Sequence, residues 1–311
     1  MQNIVTRLFF FLTFVAGLAA CTTNPYAVTN RSYKKQAKAY ARTIRQAPVI
    51  TPGADSLLMG AYWVGTTNFN LRKPNYVIIH HTAQDSTAQT LKTFTRLQTQ
   101  VSAHYVIGRD GKIYHMLNDY LRAWHGGAAR WGNNTDINSS SIGIELDNNG
   151  LEPFAEPQIN SLLQVLAQLK KNYNIPTANF IGHSDIAPAR KDDPNPTFPW
   201  KALAERGYGY WYDESILADT LTTDSTTSLN IIANLNLLSP DSTQAIDSTT
   251  LKNTVPANFN PQEALRIIGY DVKNLSAAIR AFKLHFIQKE VNSFLTENDK
   301  KVLYNLYRKY L

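Results

Sequence analysis

Residues 182–196 read GHSDIAPARKDDPNP. This stretch combines a histidine, a lysine and carboxylates with prolines that stiffen its turns, and an upstream stretch at residues 77–81 reads VIIHH. Together they offer two imidazoles and a carboxylate, which suit a borderline metal cation. Zinc in a catalytic site takes three protein ligands and leaves one position for water. The two stretches therefore predict a zinc-dependent hydrolase.

The paired histidines, His80 and His81, end an apolar segment that starts at Asn75 and that we predict to be a buried strand. Successive side chains on a strand point to opposite faces, so the two imidazoles cannot enter the same site. Both faces of this strand are apolar, and alternation alone does not choose between them. The carboxyl end of a buried strand is where open sheets bind ligands, which favours a role for one of the two.

Strand and helix signals alternate through the middle of the chain. We expect further strands at residues 103–108, 112–117, 141–146 and 178–181, and helices from Ser86 or Thr87 to about Gln100, from Pro157 onward, and at 200–205. This mixture predicts an α/β (α+β) fold with one central mixed sheet flanked by helices.

The composition is that of a globular protein, because 43% of the 311 residues are hydrophobic and 18% are charged. The formal net charge of +7 is a mild basic bias, which favours a polyanionic partner such as a cell-wall polymer or an anionic membrane surface. No run of lysine and arginine is dense enough to indicate nucleic acid, so we expect no nucleic-acid partner.

The chain has one cysteine, Cys21, so no internal disulfide can form. It follows an apolar segment, residues 8–20, which is too short to span a bilayer comfortably. The sequence LAAC at 18–21 resembles a bacterial lipobox and predicts cleavage before Cys21 and lipidation of its thiol. An ordinary secretory signal or a buried N-terminal helix are the alternatives. The resemblance to lipoproteins of Gram-negative bacteria, in which the residue after the lipidated cysteine helps to sort them, implies the outer membrane, because Thr22 stands there in place of an aspartate, with the protein facing the periplasm.

Changes in composition divide the chain into five segments. We expect a lipoprotein signal peptide at 1–20, a tether at 21–50, the catalytic domain at 51–215, a Ser/Thr-rich linker at 216–258 and a helical block at 259–311. Helix signals in the last segment start at Asn260, Leu275 and Thr296, and the second of these three helices is expected to end at Phe286. So small a block has a small core, which favours a binding module over a second enzyme.

The chain resembles the zinc-dependent N-acetylmuramoyl-L-alanine amidases of the Amidase 2 family, and most closely their lipid-anchored AmiD type. The resemblance covers roughly residues 60–212 and is most specific in the GHSDIAPARKDDPNP stretch. The other matching pieces are VIIHHTA at 77–83, SAHY at 102–105, AWHGG at 123–127, SIGIEL at 141–146 and FPW at 198–200. Residues 264–272 and 277–283 resemble a three-helix peptidoglycan-binding domain, with Lys283 where glutamine is typical.

The resemblance implies one zinc ion held by His80, His183 and Asp193, with His81 as a neighbour. It implies that Glu145 is the general base and Lys191 a catalytic residue. The implied reaction is hydrolysis of the amide between N-acetylmuramic acid, or its anhydro form, and L-alanine of the stem peptide in peptidoglycan or muropeptides.

The same roles make chemical sense from the residues themselves. Zinc polarises a carbonyl and acidifies bound water, Glu145 can accept the water's proton, and Lys191 can stabilise the oxyanion. Further candidates for substrate contact are Trp124, His125, Arg190 and His104.

Two other functions are compatible with parts of this pattern. One is a non-catalytic peptidoglycan receptor on the same fold, which the complete ligand set disfavours because an open three-ligand site is the catalytic arrangement. The other is a zinc peptidase that cuts stem-peptide cross-links, whose histidine motifs are not found here.

Overall fold

The computed structural model describes residues 24–45, 66, 68, 70–220 and 255–311. The predicted signal peptide, Cys21 and most of the predicted linker lie outside the described residues. The chain divides into two compact units, Met1–Asn70 and Leu71–Leu311. Among the described residues, no helix is long and apolar enough to cross a membrane.

The first unit contains one described helix, α1 (Ala27–Arg45), within the predicted tether. None of its residues is buried, and it carries basic but no acidic side chains.

The second unit is built on a five-stranded sheet, in which the strand order is β3-β2-β4-β1-β5. The strands are β1 (Tyr76–His81), β2 (Tyr105–Ile107), β3 (Ile113–His115), β4 (Ser141–Leu146) and β5 (Phe180–Gly182). All neighbouring strands run parallel except β3, which pairs antiparallel with β2 in the predicted hairpin. The expected central mixed sheet is confirmed.

Parallel pairing places the carboxyl ends of three strands side by side. In the register of β1 with β4, His80 lies opposite Glu145, and Ile79 of β1 lies opposite Gly182, the last residue of β5. His183 follows directly. The sheet therefore gathers His80, Glu145 and His183 at one edge.

Helices surround the sheet. They are α2 (Thr87–Phe94), α3 (Ile137–Ser140), α4 (Glu156–Tyr173), α5 (His183–Ile186), α6 (Trp200–Ala204), α7 (Pro261–Ile268), α8 (Leu275–Phe282) and α9 (Glu297–Tyr310). The predicted caps are present at Ser86, Asn260 and Thr296, whose side chains accept hydrogen bonds from backbone N–H groups of the first turn.

Two helices end earlier than the sequence predicted. The helix expected to reach Gln100 ends at Phe94, where the Thr95 hydroxyl donates to the Leu91 carbonyl, and Gln100 itself is left-handed with φ 51°. The helix expected to reach Phe286 ends at Phe282 and continues as a π turn, Lys283–Ile287.

The two faces of the sheet are covered by different parts of the chain. Val77 and Ile79 of β1 share a core cluster with Leu162 and Leu166 of α4. Ile78, on the opposite face, shares a second cluster with apolar side chains of α7, α8 and α9, which include Leu265, Phe282 and Leu303. The C-terminal helices therefore complete the core beneath the sheet, whereas the sequence suggested only a small core of their own.

Candidate active site

Three buried side chains converge at the carboxyl edge of the sheet. Nδ1 of His80 lies 2.9 Å from Nδ1 of His183 and 3.2 Å from Oδ2 of Asp193, and Nδ1 of His183 lies 3.1 Å from the same carboxylate oxygen. All three residues are at most 5% exposed. Among the described residues they form the group whose geometry could hold a metal ion.

The local fold of residues 182–193 brings the last two of these groups together. His183 begins α5 directly after β5, and the N–H of Ser184 donates to the carbonyl of Asp193 over 2.8 Å. This bond closes the loop, so that Asp193 returns to the side of His183 despite the nine residues between them.

The donor set fits zinc. Bonds of about 2.0–2.1 Å in a tetrahedron place ligand atoms about 3.3 Å apart, close to the three separations observed here. Burial, followed by the nearby His183, lowers the pKa of His80 to about 4, so this ring is neutral at neutral pH and can offer a lone pair. Two imidazoles and one carboxylate leave the fourth position of a tetrahedral ion for water or substrate.

Glu145 lies beside this group, with Oε1 4.0 Å from Nδ1 of His80. Burial, and then the charge of Asp193, raise the pKa of Glu145 well above its usual value, while the charge of Lys191 acts in the opposite direction. Lys191 is half-buried and follows Arg190 in the same loop. The site thus places the carboxyl group of Glu145 and the side chain of Lys191 next to the potential ligands.

His125 is a buried neighbour of His80 and does not line an open groove. Its Nδ1 lies 3.1 Å from Nε2 of His80, and its Nε2 lies 3.0 Å from the hydroxyl of Ser141. A Cβ at Gly143 would come within 2.4 Å of the His125 ring, so that position of β4 has room only for glycine. The sequence alone gave Gly143 no role, although a glycine inside a strand is a signal that another group approaches the backbone closely.

His104, a further candidate for substrate contact, is held between two backbone groups. Its ring is fully buried, Nδ1 accepts from the N–H of Gly143 over 3.1 Å, and Nε2 lies 3.0 Å from the carbonyl of Leu121. Both ring nitrogens therefore contact backbone groups, and His104 links Gly143 of β4 to the chain at Leu121.

Trp124 and Arg190 are both exposed to solvent. The side chain of Trp124 is 48% exposed, while its backbone pairs with Ser102. Nη2 of Arg190 donates to the carbonyls of Gly126 over 2.7 Å and of Ala128 over 3.0 Å, so this side chain also fixes the 126–128 loop.

The structure separates the two adjacent histidines as alternation requires. His81 lies on the face opposite to His80, and its Nδ1 accepts from the N–H of Asn195 over 3.1 Å. It braces the loop that follows Asp193 and supplies no ligand.

Residues 70–196 match the protein family described as N-acetylmuramoyl-L-alanine amidase. This match to the Amidase_2 family includes His80, Glu145, His183 and Asp193. The chain is 39% identical to the N-acetylmuramoyl-L-alanine amidase AmiD of Escherichia coli over 153 residues, which are 44% of this chain and 54% of that protein. It is 38% identical to the 1,6-anhydro-N-acetylmuramyl-L-alanine amidase AmpD of Haemophilus influenzae over 105 residues, 33% of this chain and 57% of that protein. The chain spans about half the length of these curated relatives.

Two solved structures resemble a larger part of the chain than the Amidase_2 domain. One is AmiD from E. coli in complex with the substrate anhydro-N-acetylmuramic acid-L-Ala-D-γ-Glu-L-Lys, with a TM-score of 0.61, 27% identity and coverage of 80% of this chain and 96% of that one. The other is AmpDh3 from Pseudomonas aeruginosa, with a TM-score of 0.60, 27% identity and coverage of 82% and 99%. The likeness therefore extends beyond residues 70–196.

Proposed function

We propose that this chain is a zinc-dependent N-acetylmuramoyl-L-alanine amidase. It hydrolyses the amide between N-acetylmuramic acid, or its anhydro form, and L-alanine of the stem peptide. The observation that carries the proposal is the convergence of His80, His183 and Asp193 within 2.9–3.2 Å, with Glu145 beside them, in an Amidase_2 domain.

Zinc held by these three residues would supply a Lewis acid and acidify a bound water. Glu145 is placed to accept a proton from the attacking water and to deliver it to the departing nitrogen of L-alanine, because its carboxyl group borders the three potential ligands. Its burial keeps bulk water from competing for this role.

Lys191 supports the other half of the reaction. The hydrolysis of an amide builds negative charge on the former carbonyl oxygen, and a fixed ammonium group stabilises that charge most strongly where water is scarce. Lys191 is half-buried, and its charge is felt at both Glu145 and His80.

The substrate class is supported by the relatives. AmiD of E. coli was solved with an anhydro-muramyl tripeptide, and AmpDh3 of P. aeruginosa was solved with anhydromuramic pentapeptide. Both ligands contain a muramic acid joined to a peptide. Trp124, which is exposed and directly precedes the buried His125, offers an aromatic surface against which a sugar ring can pack.

The test uses the full-length chain, purified in detergent and incubated with purified peptidoglycan. Mass spectrometry should detect free stem peptides that begin with L-alanine, and a zinc chelator or the variant Glu145→Gln should abolish their release. Wall binding without such peptides would reject the amidase and favour a receptor, and peptides cut at a cross-link would indicate a peptidase.

The proposal extends to the location of the protein. The sequence around Cys21, with Thr22 after it, supports lipidation and an outer-membrane anchor facing the periplasm. Cells grown with an alkyne-tagged fatty acid should label the protein, and Cys21→Ser should remove the label; equal labelling of both forms would reject the anchor.

The likeness of residues 264–272 and 277–283 to a peptidoglycan-binding domain supports a further role of the C-terminal helices in wall attachment. Sedimentation of the Glu145→Gln chain with insoluble peptidoglycan tests this role, and a protein that stays in the supernatant rejects it.

A further inference from the structure

Asp185 is a fully buried carboxylate that joins the loop of the candidate metal site to the C-terminal helices. Its Oδ2 accepts a hydrogen bond from the backbone N–H of Gly182 over 2.7 Å. The hydroxyl of Tyr270 donates to its Oδ1 over 2.7 Å, and Nδ1 of His285 lies 2.7 Å from its Oδ2. Two of these three groups come from the C-terminal helical block.

The position of Asp185 connects it to a metal ligand. It is the third residue of α5, which begins with His183, and its bond to Gly182 caps that helix. The direction in which His183 leaves the sheet therefore depends on where the Asp185 carboxylate is held. A buried carboxylate is costly unless it is well bonded, so the donors from the C-terminal block are needed to keep it in place.

The donors from the C-terminal block are themselves rigidly packed. The His285 ring lies between Trp200, with ring centres 3.8 Å apart, and Phe286, with centres 4.0 Å apart. Nε2 of His285 is buried and has no hydrogen-bond partner among the described residues, so the polar contact of this ring is the one to Asp185.

Tyr270 is fixed by a close approach between two loops. Its ring packs edge-on against Trp131 at 5.1 Å. The preceding residue, Gly269, has φ +136°, and a Cβ there would come within 2.4 Å of the Trp131 ring. The Gly269 carbonyl also accepts from the N–H of Gly132 over 2.7 Å. These contacts leave Tyr270 little freedom to move away from Asp185.

We propose that Tyr270 and His285 are positioning residues of the metal site. Through Asp185 they fix the start of α5 and thus the imidazole of His183, which makes the C-terminal helices a structural part of the catalytic centre. The identity of the metal rests on the proposed function, whereas the coupling between the two regions rests on the hydrogen bonds themselves.

The first test is Tyr270→Phe, which removes one hydroxyl and keeps the ring. Zinc affinity of the full-length chain in detergent is measured by competition with a chromogenic chelator, together with the melting temperature. We expect zinc affinity to fall about 3- to 10-fold, less than the roughly 10- to 100-fold typical of a group that bonds the ligand directly.

A matched control separates positioning from general loss of stability. Val302→Ala removes buried apolar volume from α9 without touching a hydrogen-bonding group. It should lower the melting temperature and leave zinc affinity unchanged. Equal changes of zinc affinity in the two variants, or none in Tyr270→Phe, would overturn the proposal.

A second pair of variants isolates the bond from His285. Both His285→Asn and His285→Leu remove the stacked ring, but the amide of asparagine can place an N–H where Nδ1 lies. We expect the asparagine variant to bind zinc more tightly than the leucine variant, and equal affinities would argue against positioning. If the unaltered protein bound no zinc, the proposed function itself would fail, which is a distinct result.

Discussion

Glu145 carries the chemical step in this account, and its surroundings explain why. It is the penultimate residue of the apolar strand β4, its Oε1 lies 4.0 Å from Nδ1 of the candidate metal ligand His80, and it is 8% exposed. Its neighbours in the chain, Ile144 and Leu146, are fully buried. Burial of a carboxylate costs free energy unless the group has a polar partner at the site.

Glu145→Gln should therefore separate catalysis from metal binding. The substitution keeps the size of the side chain and removes its ability to accept a proton. We expect kcat to fall by about 10²- to 10⁴-fold, the range attributed to general acid–base catalysis, with zinc affinity nearly unchanged. A variant that retains wild-type turnover would remove Glu145 from the mechanism.

Asp193→Asn tests the ligand set. The bonds to His183 and His80 oppose the effect of burial and hold the pKa of Asp193 well below its usual range, so the group is a carboxylate at neutral pH. A neutral amide is a weaker zinc ligand, and we expect zinc affinity to fall by at least about 100-fold, by analogy with the 10- to 100-fold cost of outer partners.

Asp192→Asn is the matched control for Asp193, because the neighbouring carboxylate is exposed. Metal content measured by elemental analysis should be near one zinc per chain in this control and far lower in Asp193→Asn. Equal metal content in the two variants would refute the assignment of Asp193.

At the scale of single residues, the sequence predicted which side chains meet at the site better than it predicted which groups surround each of them. The types and spacing of His183 and Asp193 are legible in one short stretch, whereas the choice between His80 and His81 needed a resemblance, since both faces of β1 are apolar. The hydrogen-bond partners of His104 could not be foreseen, because they are backbone groups that lie far away in sequence.

At the scale of elements, the β2–β3 hairpin is tied to α4 through one carboxylate. Asp119 accepts hydrogen bonds from the hydroxyls of Tyr105 and Tyr173, and Nε2 of His115 lies 3.3 Å from it. Burial acts to raise the pKa of Asp119, but the bonds from His115, Tyr173 and Tyr105 outweigh it and lower that pKa.

Asp119→Asn should destabilise this corner of the fold. Two tyrosine hydroxyls would lose a charged acceptor, and a hydrogen bond to a charged group contributes about 1.5–3 kcal/mol, so we expect the free energy of unfolding to fall by about 1–3 kcal/mol. Urea denaturation measures the change. The exposed Asp85, changed to Asn, should shift the same quantity by less than about 0.5 kcal/mol, and a similar shift in both would contradict the role of Asp119.

The elements themselves were largely predictable, and their ends were not. The caps at Ser86, Asn260 and Thr296 use local side-chain bonds, which a sequence displays directly. The end of α8 depends instead on Lys283, which is buried and bonded to Asn292 and Asp299. Such a contact depends on tertiary packing, so helical periodicity alone predicted a helix that continues past Phe282.

At the scale of the second unit, the sheet has two covered faces, and the C-terminal helices cover one of them. The apolar faces of these helices were visible in the sequence, but a sequence does not state what an apolar face packs against. In the structure these faces pack against the sheet, in a cluster that contains Ile78 and Ile181 together with Leu265 and Phe282.

Deletion of residues 259–311 should consequently destabilise the sheet that carries the candidate metal site. It would expose Ile78, Ile181 and neighbouring apolar side chains, and it would remove both donors to Asp185 from the C-terminal block. We expect a lower melting temperature, increased binding of the dye ANS and weaker zinc binding. A truncated protein that melts and binds zinc like the full-length chain would show that the helices are an independent appendage.

In the proposed mechanism, one zinc ion, held by His80, His183 and Asp193, supports hydrolysis of the muramyl–L-alanine amide. The most direct measurement strips the metal from the full-length chain and adds zinc back in steps, while mass spectrometry follows release of peptides that begin with L-alanine. The account predicts that turnover rises with zinc until one ion per chain is bound, and that His80→Ala shows no such rise. Turnover that persists after metal removal, or that survives in His80→Ala, would contradict it.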